Sequence, residues 1–193
     1  ICFKLLEKFK VGNFESILWN YLIASLTGFI VFEIDLNAIF NAPWLYIAFG
    51  IGLIFFIVFH LFALCSQKIS ITMTAMASKM SVIIPVMVSI FYFNDHLGML
   101  KIIGIGLTIF SLFLILMPNK SNPIDKKYIF VPILIFIMTG VSDSFFKIAQ
   151  SNYQISTSID SAKFVSTIFG ISFIFGIITL PFFKVQPKKL FIP

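Results

Sequence analysis

Apolar runs of about 18 to 23 residues recur along this chain, each closed by a short polar hinge, and that spacing is its strongest constraint on a fold. A hydrocarbon core about 30 Å thick takes about 20 helical residues to cross. Inside it only a helix or a closed barrel satisfies every backbone N–H and C=O. The runs are Glu15 to Phe32, Trp44 to Leu64, Thr72 to Phe93, Leu100 to Met117, Tyr128 to Ala149 and Ser161 to Phe183. They predict an all-α membrane protein, a polytopic helical bundle of about six complete spans. The stretch Ile1 to Lys10 reads as the tail of a partial first helix. With a stop at Pro193 soon after a span, it predicts a fragment truncated at both ends.

Composition agrees. Hydrophobic residues make up 59% of the chain and charged ones 11%, against about 25% charged in a soluble domain. The net charge is +6 and every basic residue is a lysine. Without arginine there is no bidentate recognition of phosphate or base edges, and the lysines are scattered at segment ends, so no nucleic-acid partner is expected. Cys2 and Cys65 lack CxxC spacing and neighbouring histidines, which argues against a disulfide, a metal site or a cofactor.

In chain order, Trp19 and Tyr21, then Trp44 and Tyr46, stand near span starts, where amphipathic rings favour the interface. Glu33 to Pro43 reads as an interfacial loop, and Ser66-Gln67-Lys68 as a tight hinge that makes its flanking spans antiparallel neighbours. Gly50 and Gly52, and later Gly104 and Gly106, are small residues that let helix backbones approach. The Pro118 to Pro123 cluster is the best internal boundary.

Against this background the charges inside the runs stand out. Lys79 lies in the run Ala75 to Pro85, roughly ten residues from either charged flank, where an ammonium group costs about 2.5 to 3.5 kcal/mol on insertion scales. Asp143 and Lys147 are four residues apart and share a helix face, so an intrahelical pair with Lys147 snorkelling outward is one reading. Lys79, Asp143 and Lys147 are the leading substrate or cavity candidates. Ser78, Ser81, Asn20 and Thr74 are secondary ones, since hydroxyls and amides in spans either bond helix to helix or line a pathway. His60 reads first as a satisfied polar side chain and second as a cavity residue. Pro85 would loosen its helix and free a backbone carbonyl, which suits a gate.

Sliding the chain along itself brings Phe3-Lys4-Leu5 over Phe146-Lys147-Ile148, and Glu15 to Phe32 over the start of the sixth span. Five spans, counting the partial first, separate the two copies, and an odd number inverts one relative to the other. Inverted repeats are how many secondary transporters build two gates around one midplane site.

Taken together, Ala63-Leu64, Ile69-Ser70, the small residues from Ala75 to Pro85, the turn Phe93-Asn94-Asp95-His96-Leu97 and the stretch Lys101 to Leu107 with Gly104 and Gly106 resemble the drug/metabolite transporter superfamily, specifically its EamA-like ten-helix family. The acidic turn departs from that family's usual Gly-Glu-x-Leu, carrying Asn94-Asp95 instead. The resemblance implies two inverted five-helix repeats, with residues 1–120 as the first, its first helix truncated, and 121–193 as the start of the second, its last helices missing.

The expected function is therefore a secondary transporter, a permease moving a small metabolite across the cell (inner) membrane by alternating access. Its partners would be a small-molecule substrate, the lipid bilayer and a coupling ion, proton or sodium. The alternative is a non-transporting membrane assembly or sensor subunit. Enzymatic activity is not expected, because the chain has no GxSG, HExxH or paired intramembrane aspartates. Counting lysines on alternate hinges puts the face bearing Lys8, Lys10, Lys68, Lys120, Lys126, Lys127, Lys184, Lys188 and Lys189 in the cytoplasm, against Lys101 and Lys163 on the other. The resemblance implies the opposite orientation.

Overall fold

A computed structural model describes residues 12–93, 98–116 and 128–180. Among these the chain is all-helical, with no strand. The eight helices are α1 (Asn13–Val31), α2 (Leu36–Phe40), α3 (Leu45–Lys68), α4 (Ile71–Met80), α5 (Ile83–Phe93), α6 (Met99–Leu116), α7 (Phe130–Asn152) and α8 (Ser158–Thr179). Five segments are long and apolar enough to cross a membrane: α1, α3, the α4–α5 pair taken together, α7 and α8. The chain is thus a multi-pass membrane protein by the length and composition of its helices. In α6 the apolar part is the shorter stretch Ile102–Ser111. The partial first helix, the Asn94-Asp95 turn, the boundary near Lys120 and the end of the sixth run at Phe183 lie outside the described residues.

Three details differ from the sequence reading. The interfacial loop contains a short helix, α2, because the Asp35 carboxylate accepts a hydrogen bond from Asn37 N at 3.0 Å and so caps it. The hinge at Ser66-Gln67-Lys68 is instead the last turn of α3, and the chain turns at Ile69-Ser70, where both amides donate to Cys65 O and the Ser70 hydroxyl caps α4. The third span is two helices, interrupted at Ser81-Val82.

Helix ends follow the ordinary rules. Thr157 caps α8, accepting from Asp160 N at 3.0 Å, and Asp160 in that first turn favours the positive end of the helix dipole. The spans α1 and α7 both stop at a left-handed residue that is not glycine, Glu33 (φ 48°) and Gln154 (φ 52°). The next residue, Ile34 or Ile155, is buried and donates back to the carbonyl five residues earlier. Backbone closure and a hydrophobic contact together hold the strained residue in place.

The chain divides into two compact units, Ile1–His60 with Ala149–Pro193, and Leu61–Ile148. The division falls within α3 and within α7. In the first unit α1 and α8 run antiparallel in close contact. A Cβ at Gly28 would overlap the Ser166 hydroxyl, one at Gly176 would overlap Leu18, and Ser25 Oγ donates to Ser166 O at 3.1 Å. Gly52 on α3 approaches α8 in the same way, its absent Cβ falling 2.7 Å from Ile171 Cγ2. The Ser172 hydroxyl lies 2.8 Å from Gly52 O and 2.9 Å from Ile168 O. Lipid tails are as apolar as leucine, so a membrane seam needs close backbone approach and interhelical hydrogen bonds of this sort. Gly50, by contrast, has open space around it. Aromatic edges fill the remainder, with Trp44 on Phe164, Phe49 on Phe175, and Tyr21 donating to Phe55 O at 2.8 Å. The Tyr46 and Tyr153 hydroxyls share a hydrogen bond that holds the Tyr153 phenol above its usual pKa.

In the second unit Cys65, Ala77, Val131 and Ile135 form a buried cluster joining the end of α3, α4 and the start of α7. Ile84 on α5 lies against Gly140 on α7, where a Cβ would stand 2.7 Å from the Ile84 Cβ. Further along, Ser89 meets Lys147. Both contacts advance in the same chain direction, so α5 and α7 run parallel.

Replacing Gly28 by alanine therefore forces α1 from α8, with an expected loss of about 1 to 3 kcal/mol, read as a lower melting midpoint in detergent. Ser166→Gly in the same chain should recover part of it. Gly104→Ala, where nothing lies within 4 Å of the new Cβ, should not lower the midpoint and should raise it slightly, since alanine favours a helix over glycine.

Candidate functional site

The interruption at Ser81-Val82 has a single cause four residues downstream. Pro85 has no N–H, so the Ser81 carbonyl loses the donor that would continue the helix. The Ile84 amide takes its place at 2.9 Å, three residues on, which tightens the backbone locally into 3₁₀ geometry. The Ser81 side chain completes the repair by donating to Ser78 O at 2.5 Å. Ser81 is fully buried, and α5 resumes with Val86 N on Val82 O at 3.2 Å. The carbonyl that the proline leaves without its usual donor is thus taken up inside the same turn. Ser78 and Ser81 act as its support.

Lys79 sits beside this break on the last turn of α4 and is exposed. No ion pair reaches it among the described residues. It lies eight residues into its span, about 12 Å along the helix, too deep for an easy escape to the surface. The same unit holds the other leading candidates, Asp143 and Lys147, both exposed on α7. Thr74, also here, is buried and donates to Ser70 O at 2.9 Å. Asn20 and His60 belong to the first unit. Asn20 is exposed, whereas His60 is half-buried between Phe14 and Phe56 with Nδ1 2.7 Å from Phe56 O.

Asp143 and Lys147 share a helix face but do not pair. The Lys147 ammonium instead crosses to α5, where Nζ donates to Ser89 Oγ at 2.7 Å and stands 5.7 Å from the centre of the Phe93 ring. Those residues form the last two turns of α5, a helix with no basic residue of its own there. Lys147 therefore supplies, from another helix, the cation that the negative end of the α5 dipole favours. Ser89 is buried and was not legible as a partner from sequence, since 58 residues separate it from Lys147. Nearby on α7, Thr139 Oγ1 and Ser142 Oγ are buried and have no hydrogen-bond partner among the described residues.

No group of three or more histidine, cysteine or acidic side chains that could hold a metal ion occurs among the described residues. An apolar groove of about 660 Å³ lies between α5, α6 and α7, with Ile84, Met87, Tyr92, Ile105, Ile109 and Phe136 in its wall. It offers hydrocarbon packing and no chemistry. No family model, curated protein or solved structure matches the chain.

Pro85→Ala restores the missing donor and should join α4 to α5, raising the melting midpoint by the equivalent of about 1 to 3 kcal/mol. Lys147→Met removes the crossing bond and should cost about 1 to 2 kcal/mol. Ser89→Ala added to it should cost little more, and a double-mutant cycle of thermal midpoints reads that coupling.

Proposed function

We propose that this chain works as a secondary transporter, moving a small metabolite across the cell (inner) membrane by alternating access. The observation that carries the reading is the break at Ser81-Val82, in the middle of a span and next to an intramembrane lysine. Spanning helices interrupted near their centre are the usual walls of transporter binding sites, and charges at that depth line water-filled paths or bind partners. Asp143 in the same unit adds a second mid-span charge, which forms no ion pair among the described residues. Lys79 would receive an anionic group of the substrate, and Ser78, Ser81 and Pro85 would hold the flexible turn beneath it. The resemblance of residues 75–85 and their flanks to the EamA-like family supports the same reading, including its two inverted repeats.

The test is uptake and accessibility in the full-length protein reconstituted in proteoliposomes. Single cysteines flanking Lys79 should react with an impermeant reagent from one face under one condition and from the other under another. Labelling fixed to one face would count against transport and favour an assembly or sensor subunit. Lys79→Met, which keeps the bulk and loses the charge, should lower uptake at least tenfold. Unchanged uptake would remove Lys79 from the mechanism.

A further inference from the structure

Glu15 and Asp160 stand in the first turns of α1 and α8, and Glu33 and Asp35 lie in the turn after α1. Asp143 is the one described carboxylate that is far from a span end. Nine residues separate it from the end of α7 at Asn152, about 13 Å along the helix, which is close to the middle of a core about 30 Å thick. An ionised carboxylate at that depth needs a cation, water or a proton.

The cation nearest in sequence, Lys147, is engaged with Ser89 and Phe93. The other described titratable side chains on the elements that pack against α7 are Tyr46, His60, Cys65 and Lys68 on α3, Lys79 on α4 and Tyr92 on α5. Among the described residues none forms an ion pair with Asp143. Its side chain is exposed among the described residues.

One turn earlier, Thr139 shares its face of the helix. Thr74, Thr108, Thr167 and Thr179 each donate their hydroxyl to the carbonyl four residues back. Thr139 does not, and its buried hydroxyl keeps both its proton and its lone pairs uncommitted among the described residues. A buried hydroxyl without a partner is costly in an apolar setting, and a carboxyl group one turn away is a natural user of it.

We propose that Asp143 is the site at which this chain binds a proton, and that its carboxyl group, once protonated, takes up the Thr139 hydroxyl one turn away, which has no partner among the described residues. The inference rests on the transporter reading and supplies its coupling ion. In the loading step a carboxylate oxygen takes a proton from hydronium in the aqueous path, forming an O–H bond and returning water. Release on the other face reverses the step. The neutral acid crosses the apolar middle without an uncompensated charge, whereas the anion is held where water reaches it.

The experiment is pH-difference infrared spectroscopy on the full-length protein in proteoliposomes. A protonated carboxyl C=O band should grow as the pH falls, and Asp143→Asn should lose one such band. Asp143→Glu should restore it at a shifted frequency, Thr139→Val should move its frequency, and Glu33→Gln should leave it in place. Spectra of Asp143→Asn that coincide with the parent's would overturn the proposal. The cysteine labelling near Lys79 separates this from failure of the transport reading. A band lost in Asp143→Asn with labelling that never changes face keeps the proton site and sinks transport. Labelling that changes face with no band attributable to Asp143 keeps transport and sinks the proton site.

Discussion

Peptide groups inside a bilayer have no water to turn to, so each N–H and C=O must find its partner within the chain. Nearly everything in this protein follows from that demand. It makes the apolar runs helical, and it sets the task of the hydroxyls. Ser144, Thr167, Ser172 and Thr179 all donate to the carbonyl four residues behind them, hiding their own polarity against the helix that carries them. Pro85 is where the demand is hardest to meet, and the answer is local, with Ile84 N on Ser81 O and Ser81 Oγ on Ser78 O. The break is eased because the Ser81 carbonyl, which loses the Pro85 donor, takes the Ile84 amide instead.

The two units use different means of association. In the first, glycine and serine remove side-chain bulk, so α1, α3 and α8 meet backbone to backbone. That contact is dense and is tied by serine hydroxyls without any charge. In the second, the helices are joined by a small buried cluster and by Lys147 reaching across to α5. Lys79, Asp143 and the uncommitted hydroxyls of α7 all belong to this second unit. The described mid-span charges thus all fall in the second unit.

The spans were legible because an apolar run of membrane length has few other structures open to it. The break was half legible. Pro85 announced a loosened helix, but its effect falls at Ser81-Val82, and whether a carbonyl stays free depends on how the preceding serines rotate. Gly50 and Gly52 look alike in sequence, yet only Gly52 faces α8, because the rotation of α3 is set by what it packs against. For Lys147 the obvious partner, Asp143, was four residues away, while the partner it takes lies 58 residues away on another helix. Local spacing names what could meet. Which groups do meet is decided by the packing of the parallel helices α5 and α7.

The hydrogen bond from Ser25 to Ser166 spans 141 positions of chain. A ribosome delivers α1 early and α8 late, and all of 61–148 emerges between them. During that interval the glycine and serine face of α1 has no α8 to lie on, while the helices of the second unit already have one another. Pairing of α1 with α8 therefore waits until all of 61–148 has been made. Loop-closure entropy delays such long-range pairing in any fold. Here it means that a chain interrupted anywhere before residue 158 leaves α1 with its closest-packed face open to lipid.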